Sequence, residues 1–279
     1  MTEPSDQRRT TAALQGQFSD VAGGKLYTQV RNGEEPALVF LHYWGGSHRT
    51  WSPVIDRIDN RYAVVTYDQR GWGASNNVPG PFDIDQLAQD ALRVIERCVP
   101  SSYILVGHSM GGKVAQLLAA GRPKALAGAV LVAPAPPKPV DIAMEQQQAL
   151  ERAYDSRESI EQSIDGPLTN TALSPALRKQ VIEDSSKGSD GARAAWPRRG
   201  VVQDISAAVA SIDVPVLVLV GSADHVEPPD VLNERLIPYI AHATIEVLPD
   251  VGHLSPLEAP DRVARRIQWM ADTLPGEDE

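Results

Sequence analysis

The chain is poor in several things, and each shortage removes a class of protein. Cys98 is the single cysteine among 279 residues, so no internal disulfide forms and Cys-rich zinc sites are excluded; a lone thiol also agrees with a reducing compartment. Basic residues are in the minority, with 26 Lys and Arg against 36 Asp and Glu and a formal charge of −10. That balance gives no basic footprint for nucleic acid or an anionic membrane surface. No apolar run approaches the ~20 residues of a membrane span. The opening stretch MTEPSDQRRTTAALQG has no apolar centre of the signal-peptide kind. The expectation is a soluble, cytoplasmic protein. Repeats with a period of about 20–50 residues are also missing, which argues against solenoids and propellers. What remains is 42% hydrophobic residues, ample for a core in a length that α/β folds fill as one domain.

Those residues come as short aliphatic runs alternating with longer amphipathic segments. Strands are expected at KLYTQV (25–30), ALVFL (37–41), YAVVTY (62–67), SYILVG (102–107), AGAVLVA (127–133), VPVLVLVG (214–221) and TIEVLP (244–249). Most are unbroken apolar runs, as strands buried on both faces must be. Between them lie helical patterns such as FDIDQLAQDALRVIERC (82–98), apolar at Ile84, Leu87, Leu92, Val94 and Ile95. Alternating β and α elements predict an α/β fold: a mostly parallel central sheet flanked by helices, with right-handed crossovers that bring strand C-terminal ends to one edge. The core is assigned to 11–133 and 212–274. Residues 134–211 break the alternation, with a Pro-rich exit, PAPPKP, and then DIAMEQQQALERAYDS, SPALRKQVIEDSS and ARAAW. This predicts a helical cap over the C-terminal edge; a helical decoration remote from any site is the alternative. Tails at 1–10 and 275–279 are polar and expected to fray.

Gly107-His108-Ser109-Met110-Gly111 follows one expected strand and opens the helix SMGGKVAQLLAA. By chance about one chain in ten of this length would contain G-x-S-x-G, so the strand-to-helix context carries the weight. Glycines two positions either side of Ser let the chain turn sharply and present the hydroxyl above the sheet edge. A Ser acting only as helix N-cap is the competing reading. A nucleophilic Ser needs a base, and the base an orienting acid. Asp224, in SADHVEP, and His253, in DVGHLSPLEAP, each follow a strand, and the order Ser, acid, His is the one expected for this arrangement. Glu227 is the alternative acid, expected to face solvent, and His42 the alternative base, more readily a structural hydrogen-bonding residue. His48, His225 and His242 read as loop or surface residues, and the His108 side chain is expected to point away from the base.

Together GHSMGG (107–112), DQRGWGAS (68–75), GSADHVEP (221–228) and GHLSPLEAP (252–260) resemble the α/β-hydrolase superfamily, in its esterase, lactonase and cofactor-free haloperoxidase-like branch. The resemblance spans about 25–269, with the inserted helices in the place of the variable cap. It implies Ser109 as nucleophile, His253 as base and Asp224 as orienting acid, acting without metal or cofactor on a small ester or lactone. Haloalkane dehalogenases and epoxide hydrolases of this fold carry Asp at the elbow, where this chain has Ser. Carbon–carbon bond hydrolysis remains as an alternative, opposed by His108 where those enzymes usually have Asn. A ligand receptor that keeps the triad remains as another. A homo-oligomer is compatible with all three.

HYWGGSHRTW (42–51) stands where the family usually has His-Gly-x-x-Gly. By position Trp44 would supply one oxyanion N–H and Met110 the other, with Gly45 and Gly46 giving the backbone room. Tyr43 departs from the family's Gly. It is strained if the position needs positive φ, and otherwise a second wall of the substrate pocket beside Trp44. Trp196 is a candidate cap wall over Ser109, against plain packing. The DQRGWGAS loop reads as structural, with Asp68 and Arg70 tying it to neighbouring backbone, and the basic cluster Arg193, Arg198 and Arg199 as a solvated face.

Overall fold

A computed structural model describes residues 13–99 and 101–274. The expected frayed tails at 1–10 and 275–279 lie outside the described residues. The strands are β1 (Gln15–Val21), β2 (Gly24–Arg31), β3 (Glu34–Leu41), β4 (Tyr62–Tyr67), β5 (Tyr103–His108), β6 (Leu126–Val132), β7 (Val216–Gly221) and β8 (Ala243–Leu248). They form one sheet of order β1-β2-β4-β3-β5-β6-β7-β8. β1 and β2 pair antiparallel, β2 meets β4 antiparallel, and every later pair is parallel. All seven expected strands are present. β1 was not expected, because its single fully buried side chain is the polar Ser19, which accepts a 3.1 Å hydrogen bond from Thr28.

Side chains along a strand alternate between faces, and in the central strands β3 to β7 both faces are dry. Leu38, Phe40, Ile104, Val106, Val130, Val132, Leu217 and Leu219 pack on one side with Trp51 and with Ile267 and Met270 of the helix Pro260–Thr273. Val39, Leu41, Leu105, Leu131, Val218 and Val220 pack on the other with the helices Ile84–Cys98 and Met110–Ala120. The helix Ile84–Cys98 begins where the Asp83 carboxylate accepts from Gln86 N–H at 2.9 Å, and it buries Ile84, Leu87, Ala91, Val94 and Ile95 at helical spacing. Among the described residues no helix is long and apolar enough to cross a membrane.

The parallel register aligns the ends that matter. Leu41 is level with Gly107, His108 with Val132, and Gly221 with Leu248. The loops after β3, β5, β7 and β8 therefore leave the sheet side by side. Residues 134–211 contain the helices Met144–Arg152, Arg157–Ser163, Pro175–Ser186, Asp190–Ala195 and Ser206–Val209, with π-helical turns at Ile164–Leu168 and Trp196–Gly200. These helices rest on that edge. Ser189 N–H donates to Gly71 C=O at 2.8 Å, and Leu254 N–H to Leu168 C=O at 2.9 Å.

Candidate active site

Ser109 sits at the turn from β5 into the helix Met110–Ala120 with φ 52° and ψ −116°, a conformation that L-residues adopt only under constraint. The constraint is steric. A Cβ on Gly107 would lie 2.5 Å from Gly111 C=O, and one on Gly111 would lie 2.5 Å from His42 C=O, so neither position admits a side chain. Ser109 N–H donates to Val132 C=O at 3.1 Å, which ties the turn to β6. The Ser109 hydroxyl donates to His253 Nε2 at 3.0 Å, and His253 Nδ1–H donates to Asp224 Oδ2 at 2.9 Å. Asp224 Oδ1 accepts from the backbone N–H groups of Val226 and Glu227 at 2.8 and 2.9 Å, so its carboxylate is oriented by its own loop. All three side chains are buried.

The loop after β3 completes the surroundings. His42 Nδ1–H donates to Tyr43 C=O at 2.7 Å, and His42 Nε2 accepts from Gln69 N–H at 3.0 Å. Burial, slightly offset by Asp68, pushes this imidazole down to about 4; it is neutral and structural. Trp44 stacks on Tyr154 of the insertion, ring centroids 4.1 Å apart, and the Tyr154 hydroxyl donates to Trp44 C=O at 2.8 Å. Gly45 has φ +94°, and a Cβ there would enter the Tyr154 ring. Ser185 Oγ donates to Gly45 C=O at 3.0 Å, Ser47 Oγ donates to Asp184 Oδ2 at 2.8 Å, and Arg49 pairs with Asp184 and Glu183. Neither Trp44 N–H nor Met110 N–H has an acceptor among the described residues.

With this geometry in view, comparison with known proteins places the fold. Residues 38–266 match the sequence profile of the Alpha/beta hydrolase family. The chain belongs to that family. It is 30% identical over 247 residues to 3-oxoadipate enol-lactonase 2 of Acinetobacter baylyi, covering 84% of this chain and 88% of that one. A non-heme haloperoxidase of Rhodococcus erythropolis is 26% identical, over 77% of this chain and 85% of its own. Among solved structures, an esterase from Exiguobacterium antarcticum superposes with a TM-score of 0.82 at 20% identity, covering 93% of this chain and 100% of that one; at that identity it speaks for the fold alone.

Several expectations for this α/β hydrolase need correction. His108 does not turn from the base: its Nε2–H donates to His253 C=O at 2.9 Å, and the two rings lie 5.2 Å apart. Burial, with His253 beside it, pushes His108 well below the usual histidine range. Glu227 does not face solvent but is 8% exposed. His48 is half-buried in the segment after β3. Its Nδ1 and backbone N–H both bond Asp68 Oδ1, at 2.8 and 2.7 Å. Burial would raise Asp68, but these bonds and the His48 charge hold it below the ordinary carboxylate range. His225 and His242 are exposed.

Tyr43 is not among the residues with positive φ, so it bears no strain of that kind. Its ring is buried against His108, 5.2 Å between centroids, and against Gly46. Trp196 lines a cavity of about 10 Å³ with Met110, Trp72, Phe82 and Leu87. A groove of about 640 Å³ between Ser52–Arg57, Thr171–Gln180 and Leu257–Asp261 contains none of the candidate residues. In the DQRGWGAS loop, Arg70 donates to both oxygens of Asp90, each at 2.7 Å, and to the carbonyls of Ala22 and Pro79. Arg198 and Arg199 are exposed, while Arg193 is half-buried and donates to Tyr154 C=O at 2.9 Å. Sequence reasoning missed Tyr154, Asp184 and Ser185, which carry no motif.

Proposed function

We propose that the protein is a serine hydrolase that cleaves a carboxylic ester or lactone through an acyl-enzyme on Ser109. The observation that carries this reading is the unbroken line from Ser109 Oγ through His253 to Asp224, at 3.0 and 2.9 Å. His253 takes the Ser109 proton as the oxygen attacks the carbonyl carbon. The resulting oxyanion is met by the Met110 N–H, at the positive end of its helix, and the Trp44 N–H, both free of other acceptors in the described structure. Collapse expels the alcohol, to which His253 returns the proton. Water, deprotonated by His253, then attacks the acyl-enzyme and frees Ser109. Similarity to an enol-lactonase supports this chemistry. Similarity to a haloperoxidase supports a second use of the same intermediate, in which hydrogen peroxide replaces water and a peracid leaves.

The test is a serine-directed phosphonate together with p-nitrophenyl acetate. Labelling of Ser109 and loss of hydrolysis are expected together, and Ser109→Ala is expected to lower kcat by on the order of 10⁴–10⁶. A loss under about tenfold would remove Ser109 from the role. Labelling of a protein that hydrolyses nothing across a panel of esters and lactones would favour a receptor.

A further inference from the structure

His253 is carried by the irregular stretch between β8 and the short helix Ser255–Glu258. Loops hold side chains less firmly than strands do, and a group that transfers a proton has to be held close to its productive place. Three hydrogen bonds steady the backbone here: Gly252 N–H donates to Glu258 Oε2 at 3.3 Å, His253 C=O accepts from His108 Nε2–H at 2.9 Å, and Leu254 N–H donates to Leu168 C=O at 2.9 Å. The Glu258 bond is unlike the other two, because the same Oε2 also accepts from the N–H groups of Asn170 and Thr171, at 2.9 and 2.8 Å. One side-chain oxygen thus grips both the neighbour of His253 and the insertion just past its first π-helical turn. Asn170 Nδ2–H adds a 3.0 Å bond to Asp250 C=O.

The contact leaves no slack. A Cβ on Gly252 would lie 2.5 Å from Asn170 N and 2.8 Å from Glu258 Oε1, so the glutamate seats only where 252 is glycine. The first and seventh residues of GHLSPLEAP are two halves of one junction. Oε1 is buried without a partner among the described residues, so the grip falls to Oε2 alone. Burial raises the Glu258 carboxyl, the three N–H groups oppose the rise and Asp224 adds to it. An oxygen accepts such bonds with or without a negative charge, whereas an electrostatic effect on Asp224 and His253 would need the charge itself. The two roles are therefore separable by substitution.

We propose that Glu258 is a positioning residue for the base: by clamping Asn170 and Thr171 of the insertion to Gly252, it fixes where His253 stands between Ser109 and Asp224. The proposal rests on His253 being the base. Glu258→Gln keeps the reach of the accepting oxygen and loses the charge, while Glu258→Asp keeps the charge and draws the oxygen back by one methylene. Both changes fall on a half-buried side chain and retain a polar head, so both variants should fold. With p-nitrophenyl acetate, kcat of Glu258→Gln is expected within about threefold of wild type and that of Glu258→Asp at least about tenfold below Glu258→Gln, with KM within about twofold throughout, since a small misplacement of a reacting group slows the chemical step. The far-downfield proton resonance of His253 Nδ1–H needs no turnover; it should hold its place in Glu258→Gln and move or broaden in Glu258→Asp. A Glu258→Asp enzyme as fast as Glu258→Gln or faster would overturn the proposal, as would equal kcat in both with only the denaturation midpoint lowered, the mark of a merely structural contact. A wild type that hydrolysed no ester would instead remove the hydrolase reading and leave the resonance to judge Glu258. Hydrolysis surviving in His253→Ala would remove the base assignment, and the proposal with it.

Discussion

The two loops that flank the candidate reaction centre are held in opposite ways. The Ser109 turn is fixed from below, by the sheet: Gly107 and Gly111 are pressed against Gly111 C=O and His42 C=O, and Ser109 N–H is bound to β6. The Trp44 loop is fixed from above, by the insertion: Tyr154 stacks on Trp44 and bonds its carbonyl, Ser185 bonds Gly45, and Asp184 gathers Ser47 and Arg49. Ala135 N–H, at the start of the insertion, also donates to Ser109 C=O at 3.2 Å, but among the described residues no side chain of the insertion holds the Ser109 turn as Tyr154, Ser185 and Asp184 hold the Trp44 loop. Under the proposed mechanism, changes in the helices of the insertion therefore reach the proposed oxyanion loop before they reach Ser109.

The contrast can be broken most forcefully at Gly111. Gly111→Ala drives a methyl into the carbonyls of Leu41 and His42 and is expected to cost about 3 kcal/mol or more, read as a fall in denaturation midpoint together with loss of Ser109 labelling; a stable, labelled variant would mean the turn is not sheet-locked. Next comes Asp184→Ala, which strips Ser47 and Arg49 of a buried partner and is expected to lower stability by ~2 kcal/mol while Ser109 still labels. Tyr154→Phe removes one hydrogen bond and keeps the stack. It should lower kcat about tenfold, equivalent to ~1.4 kcal/mol, with KM close to wild type, and an unchanged kcat would show that the Trp44 carbonyl needs no tether.

The mildest effect is in protons. His42 and His108 stay neutral when folded, one at about 4 and the other well below the usual range, whereas unfolded histidine titrates near ~6.5. The unfolded chain therefore binds more protons from about pH 6.5 down to about 4, and stability falls as pH drops through that window. Thermal unfolding at pH 7 and at pH 5.5 should differ by a few degrees, and His42→Asn should shrink the difference.

What could be read in the sequence follows the same division. β3 to β7 are legible because strands buried on both faces are largely aliphatic, β8 because its apolar residues alternate with partly exposed ones at the sheet edge, and Ser109, Asp224 and His253 because each follows one of these strands within a few residues. β1 was illegible since it turns a serine inward rather than a hydrophobe. Tyr154, Ser185 and Asp184 meet the Trp44 loop across 110, 140 and 137 residues of chain, and contacts that distant leave no period or spacing behind. The need for glycine at 45 was visible, but its cause, the Tyr154 ring, was not. Glu227 was misplaced because an acidic residue in a loop is normally solvated.

The cavity that Trp196 shares with Met110 holds about 10 Å³, close to the least that admits a single water. Arg70, Trp72, Phe82, Leu87 and Ala192 wall it too, so the space beside Met110 is packed to the scale of one solvent molecule, and a bulkier guest has to displace side chains to occupy it.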